Sequence, residues 1–185
     1  MPLHEKSLFR SAIPADMAVS RDRKLDIANA ALAHAVSFIN YAIEKNKLSL
    51  PKFPPSYDPS NPSRWLYFFL RETIRNSVDA FFAQDNLPSP TIEINITIST
   101  QVKTGQLYLK IKDNGPGFAG VGRGMSFTKE PAKAYKEKMT CIGGNGFGLG
   151  ICQSKLSDLI FKNRKAGGAA VKTALGQEIG LVLGI

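Results

Sequence analysis

The sequence predicts an α/β fold: a two-layer sandwich with a mixed, mainly antiparallel sheet under helices, preceded by an N-terminal helical extension. Ile92, Ile94, Ile96 and Ile98, followed by Leu107, Leu109 and Ile111, alternate strictly and read as two neighbouring strands with one covered face. Two other segments place apolar residues every three or four positions, the spacing of a helix with one buried side. A hydrophobic share of 43% in 185 residues provides a core for one ordinary domain and an extension.

The first helix is expected over 21–47, where Leu25, Ala28, Leu32, Ala35, Ile39 and Ala42 alternate three- and four-residue steps and Phe38 and Ile43 widen the stripe. Such a stripe either covers the domain that follows or forms a seam for dimerisation or partner docking. Pro51, Pro54, Pro55, Pro59 and Pro62 then make a connector unfit for helix or central strand. The domain boundary is placed there, with 1–61 as extension and connector and 62–185 as the main domain. Asn61 or Ser60 can cap a second helix with Pro62 in its first turn, and Leu70, Ile74, Val78 and Phe81 form its buried face.

The two alternating strands join across Lys103-Thr104-Gly105 as an antiparallel hairpin. From 117 to 147 no period is evident, and so long a stretch within a compact domain reads as a functional lid. A further helix is expected from about Gly148, burying Leu149, Cys152, Leu156 and Leu159. Two last strands are expected at Ala169–Leu175 and Ile179–Leu183.

Charge and cysteine content narrow the function. Twenty-four basic and 15 acidic residues give a net charge of +9, which suits a polyanionic ligand or partner. The aromatic residues fall in apolar patterns and are not interleaved with basic ones, so nucleic acid is not the expected partner. Cys141 and Cys152 stand outside any CxxC or Cys/His cluster, which argues against a disulfide framework or a zinc site and for a reduced, cytoplasmic setting. The first residues lack the basic-then-apolar order of a signal peptide, and no apolar run is as long as a membrane span.

Three groups of residues carry chemistry. Glu72, Asn76 and Asp79 fall at i, i+4 and i+7, one stripe of the second helix facing a common ligand. Asp113-Asn114-Gly115-Pro116-Gly117 sets an acid at a strand end, followed by glycines that admit a ligand close to the backbone. Gly143-Gly144-Asn145-Gly146-Phe147-Gly148-Leu149-Gly150 opens a helix, where unpaired N–H groups and the dipole favour phosphate. Each has a plainer reading alone: Glu72 and Asp79 as solvated residues pairing with Arg71 or Arg75, Asp-Asn-Gly as a turn, the glycines as a dinucleotide loop. The last lacks a preceding strand and a βαβ unit, and no Gly-Lys-Ser/Thr follows for a Walker loop. Their order along one chain is what indicates ATP.

On these motifs, residues 62–185 resemble the GHKL superfamily with its Bergerat ATP-binding fold, which includes histidine kinases, gyrase-type topoisomerases, heat-shock chaperones and mismatch-repair ATPases. The helix motif Glu-x-x-x-Asn-x-x-Asp-Ala appears as Glu72-Thr73-Ile74-Arg75-Asn76-Ser77-Val78-Asp79-Ala80. The resemblance implies that Asn76 coordinates Mg²⁺, that Glu72 deprotonates the attacking water in hydrolysing members, and that Asp113 accepts from the adenine amine while Gly115 and Gly117 leave room for the base. It implies that Gly144, Gly146, Gly148, Leu149 and Gly150 form the phosphate loop, that Asp79 lies in the nucleotide site, and that Lys129 of Phe127-Thr128-Lys129 reaches the outer phosphates. Gly167-Gly168 and Gly176 sit where the last motif is expected, but Glu178 and Ile179 stand near the usual position of a small hydroxyl residue.

The activity implied first is that of a Mg-ATP-binding catalytic domain of histidine-kinase type, which passes the γ-phosphoryl group to a histidine on a partner or on the rest of a larger kinase. The alternatives are an ATPase switch with Glu72 as general base and a nucleotide-holding regulator of a protein partner. A homodimer through helix 21–47 is a further expectation. His34 makes a poor phosphoacceptor: Ala35 follows it where such sites carry an acid, and it stands too close in sequence to Asn76 for a phosphotransfer hairpin.

Overall fold

The computed structural model describes residues 3–13, 20–48, 50, 52–61, 63–82, 90–101, 106–115, 142, 159–164 and 176–184; for 101, 106–107, 159–164 and 176–184 the description is of the backbone. The chain is α/β. Strand β1 (His4–Ala12) is followed by helices α1 (Arg21–Lys45) and α2 (Arg64–Phe82), then by strands β2 (Thr91–Gln101), β3 (Gln106–Asp113), β4 (Leu159–Arg164) and β5 (Gly176–Gly184). The five strands form one sheet in the order β1-β2-β3-β5-β4. A mixed sheet is expected from the sequence, but every pairing among the described residues is antiparallel.

The expected hairpin is β2–β3, with Ile96 opposite Ile111 and Ile98 opposite Leu109. Ile92, Ile94, Ile96 and Ile98 are all fully buried on its covered face, with Leu109 and Ile111 beside them. Both helices pack against this side of the sheet, α1 on β1 and β2 and α2 on β2, and they pack on each other. Ala28, Ala31, Ala35 and Ala42 of α1 have almost no exposure, small side chains that let a neighbouring element come close. The apolar stripe of α1 is therefore used within the chain, and covering the domain is what it does here. The face predicted for α2 is also the buried one: Leu70, Ile74, Val78 and Phe81 are inaccessible.

Side chains satisfy the start of each helix, although α2 begins at Arg64, so that Pro62, expected in its first turn, precedes it. The Ser20 hydroxyl accepts from the Arg23 N–H at 3.2 Å to start α1. Before α2, the Asn61 side chain accepts from the Ser63 N–H at 2.8 Å, and its carbonyl accepts from Arg64 N–H. The connector is not loose. Phe53 is buried, and its N–H and C=O are both bonded to the Asn40 side chain of α1, at 2.8 and 2.9 Å.

Two strands differ from expectation. Residues 4–12, placed by sequence in a helical extension, form β1 and pair along their whole length with β2, from His4 opposite Ser99 to Ala12 opposite Thr91. The face of β1 toward α1 is Glu5, Ser7, Phe9 and Ser11, with one apolar side chain among four, so no alternation of hydrophobicity announces the strand. Leu159, expected on a helix, instead opens β4 opposite Leu181. Leu159-Ile160-Phe161 is a short apolar run, which periodicity cannot assign to helix or strand. The expected strand Ile179–Leu183 lies inside β5. The expected strand Ala169–Leu175, the lid, and the helix from Gly148 with Leu149, Cys152 and Leu156 lie outside the described residues.

β1 is tied to the end of α1 by the Lys45 ammonium, which donates to Glu5 at 2.9 Å. This hydrogen bond holds Glu5 below its ordinary pKa of 4.5 and Lys45 above 10.5. The pair then contributes fully between those values. It fades as pH falls through the lowered Glu5 pKa and as pH rises through the raised Lys45 pKa. The stability difference between the wild-type chain and Glu5→Gln in urea is therefore expected to be small, greatest near neutrality, smaller at both extremes, and reduced by salt.

Candidate functional site

The polar stripe of α2 runs into the molecule. Glu72 is 3% exposed and Asp79 7%, while Asn76 between them is half-buried. The reading of Glu72 and Asp79 as a solvated helix face is thus excluded, although Glu72 does pair with Arg71. Its Oε1 accepts from Arg71 Nε at 3.1 Å and lies 3.0 Å from Nη2. Both donors fall on one carboxylate oxygen.

One turn further along, the Asn76 side chain makes no hydrogen bond among the described residues. A half-buried amide oxygen with no bond of its own is a hard donor of the kind Mg²⁺ takes alongside water and phosphate. The residue fits a magnesium ligand on that ground, and Glu72 stands one helical turn before it.

Asp79 leaves its helix altogether: its Oδ1 accepts from the backbone N–H of Ile142, 63 residues on, at 3.0 Å. Ile142 is buried and stands immediately before the Gly143–Gly150 run. A carboxylate on a buried amide is a charge-assisted bond, and it fixes where the chain enters the expected phosphate loop.

The third group lies where β3 ends. Asp113 is 1% exposed, opposite Ile94, and its Oδ1 accepts from the Gly115 N–H at 3.0 Å in a tight turn. Gly115 is itself buried against α2. A Cβ there would lie 3.6 Å from the Phe81 nitrogen, an ordinary contact with the end of the helix, but only 3.1 Å from Asp113 Oδ1, so the absence of a side chain leaves room for the Asp113 carboxylate in the turn.

Asn114, which sequence reasoning treats as part of a turn, has a distinct task. Its amide donates to the Thr91 carbonyl at 2.9 Å and its side-chain oxygen accepts from the Glu93 N–H at 2.9 Å. The side chain thereby continues the β2–β3 ladder past Asp113 and frees the backbone to turn toward α2. Replacing Asn114 with Ala leaves both β2 groups without this partner, and a loss of roughly 1–3 kcal/mol is expected in chemical denaturation. Asn114→Asp is expected to fall short of wild type too, because it sets a carboxylate against the Thr91 carbonyl.

The Gly115–Phe81 approach thus brings the Asp79 end of the stripe close to the Asp113 corner, and the Asp79–Ile142 bond joins it to the residue before the glycine run, while Asn76 and Glu72 follow one and two turns back along α2. Arg71 was visible only as a possible partner, and nothing in the sequence marked Ile142. Gly117, Lys129, Gly144, Gly146, Gly148, Leu149 and Gly150 lie outside the described residues. Gly176 opens β5, and Glu178 stands in register with Lys112 on one side and Lys162 on the other, a place in the sheet. No helix among the described residues is long and apolar enough to cross a membrane.

A search of curated proteins finds no match to the chain. The family pattern described as histidine kinase-, DNA gyrase B-, and HSP90-like ATPase matches residues 61–177, an interval that contains all three groups of site residues. The chain belongs to this family of ATP-binding GHKL ATPase domains.

Proposed function

We propose that the chain is a Mg-ATP-dependent phosphoryl-transfer module in which Glu72 serves as general base toward water, an ATPase switch with nucleotide held between α2, the β3 corner and the glycine run. The observation that supports it most is the buried Glu72 carboxylate, held through one oxygen by Arg71, one turn from the Asn76 amide, which makes no hydrogen bond among the described residues. A base within reach of a metal-bound phosphate is what in-line attack by water requires. When bound, Mg²⁺ would neutralise charge on the phosphates, with Asn76 as its protein ligand. Asp113 would receive the adenine amine, Asp79 would hold the entry to the phosphate loop, and Lys129 and the glycines of 144–150 would contact phosphates. The helices lying over one face of an antiparallel sheet support the two-layer Bergerat sandwich, with 62–185 as its domain and 1–61 as an extension built onto it.

A second reading, transfer to a histidine as in two-component signalling, is favoured by the Phe127-Thr128-Lys129 element and the short glycine run. His34 is an unsuitable acceptor. Its Nε2 lies 2.7 Å from the Ser7 hydroxyl and its ring packs on Phe9, so the acceptor in this reading is a protein partner. A homodimer through α1 would need its outer side, where Tyr41 is 57% exposed. The cytoplasm is the setting that suits either reading.

The test is to incubate the purified chain with Mg²⁺ and γ-labelled ATP, counting phosphate released and label retained on protein separately. Release of phosphate is expected. Acid-labile label on an added partner with little release supports the kinase reading, and absence of Mg²⁺-dependent ATP binding overturns both.

A further inference from the structure

Arg71 does more than neutralise its neighbour. Its guanidinium carbon lies 4.6 Å from the centre of the Phe68 ring and 5.8 Å from that of Tyr57, and the two rings are 6.2 Å apart in a tilted arrangement. Phe68 is one turn back on α2, while Tyr57 belongs to the connector and is 41% exposed. The planar cation is thus set against two aromatic rings while Nε and Nη2 both reach the same Glu72 oxygen. The connector is in turn anchored to α1 by the two bonds between Asn40 and Phe53.

We infer that Tyr57, Phe68 and Arg71 form a positioning clamp on Glu72, by which the proline-rich connector sets the orientation of the candidate base. The inference deepens the ATPase reading and rests on it. With Oε1 occupied by two donors, the carboxylate is fixed in rotation and Oε2 is the oxygen left to take a proton from water. A buried carboxylate without its cation would lose both that orientation and much of the stabilisation of its charged form. Arg71 and the two rings are positioning residues, since they act through Glu72.

The experiment compares steady-state ATP hydrolysis, nucleotide affinity and thermal unfolding for Arg71→Ala, Arg71→Lys, Tyr57→Ala and Tyr57→Phe, with Glu72→Gln and Tyr41→Ala as references. Arg71→Ala is expected to lower kcat roughly tenfold or more with ATP affinity retained, because misorienting a catalytic group costs turnover before it costs binding. Arg71→Lys should recover part of the loss. Tyr57→Ala should lower kcat in the same sense, Tyr57→Phe less so, and Tyr41→Ala, on the exposed side of α1, should match wild type. Wild-type kcat in both Arg71→Ala and Tyr57→Ala overturns the clamp. So does a loss in which kcat, affinity and melting temperature fall together in both variants, which marks a purely structural role. Glu72→Gln keeps the two failures apart: full turnover in that variant, or none in the wild-type chain, removes the base and the clamp with it. Loss in Glu72→Gln with unchanged turnover in the clamp variants removes the clamp alone.

Discussion

Glu72→Gln is expected to lower ATP turnover by a factor of roughly 10²–10⁴, the range over which a positioned general base contributes, while leaving Mg²⁺-dependent nucleotide affinity near that of wild type. Gln keeps the size and the acceptor oxygen facing Arg71 but cannot take up the proton of the attacking water. Asn76→Ala should instead act on binding, because the half-buried amide makes no hydrogen bond among the described residues and its loss removes the proposed metal ligand and little else. Magnesium-dependent binding should therefore fall with Asn76→Ala, and turnover with it. Binding is measured by equilibrium dialysis or calorimetry with and without Mg²⁺, and turnover by phosphate release. Retained hydrolysis in Glu72→Gln would remove Glu72 as the base. Unchanged Mg²⁺ dependence in Asn76→Ala would remove Asn76 as the ligand.

The second large effect is expected at Asp79. Its carboxylate accepts from Ile142 N–H inside the protein, so Asp79→Ala deletes a charge-assisted bond and leaves a buried amide without its acceptor. An unsatisfied buried donor costs about 1–3 kcal/mol, more where the lost partner was charged. That cost falls on the segment leading directly into the Gly143–Gly150 run. We expect lowered stability together with a loss of nucleotide affinity larger than Asn114→Ala produces. Asp79→Asn retains an acceptor oxygen without the charge and should fall between. Amide hydrogen exchange is the discriminating measurement: protection at Ile142 should disappear in Asp79→Ala and persist in part in Asp79→Asn. Protection unchanged in Asp79→Ala would show that the bond does not hold the loop entry.

The elements from 21 to 113 were legible because burial imposes a period on them. Ile92 to Ile98 could only alternate as they do if one face of a strand were covered, and the α2 stripe of Leu70, Ile74, Val78 and Phe81 could only be one side of a helix. β1 was illegible for the complementary reason: it is held by its backbone ladder to β2, and a backbone ladder leaves no trace in side-chain polarity. The same limit applies to the site. The spacing of Glu72, Asn76 and Asp79 showed that they share a face, but no spacing could show that Arg71 would stack on Tyr57 and Phe68 and close on Glu72. Nor could it show that Asp79 would reach a backbone amide distant in sequence. Asn114 stood in plain view within Asp-Asn-Gly, yet a turn asparagine and one that extends a sheet are spelled alike.

The pairing of β1 with β2 has a consequence for how the protein is made. His4 meets Ser99 and Ala12 meets Thr91, so β1, made before the other four strands of the sheet, must wait for partners roughly eighty residues or more behind it, a contact of high sequence separation and correspondingly slow closure. Until it closes, β2 has an open rim and α1 lacks one of the surfaces it packs on. Lys6 and Arg10, charges spaced along the waiting strand, discourage two unfinished copies from zipping to each other in the interval. Residues 4–12 thus act as a latch that closes only on a strand made later, and the charges along them protect the newborn chain until it does.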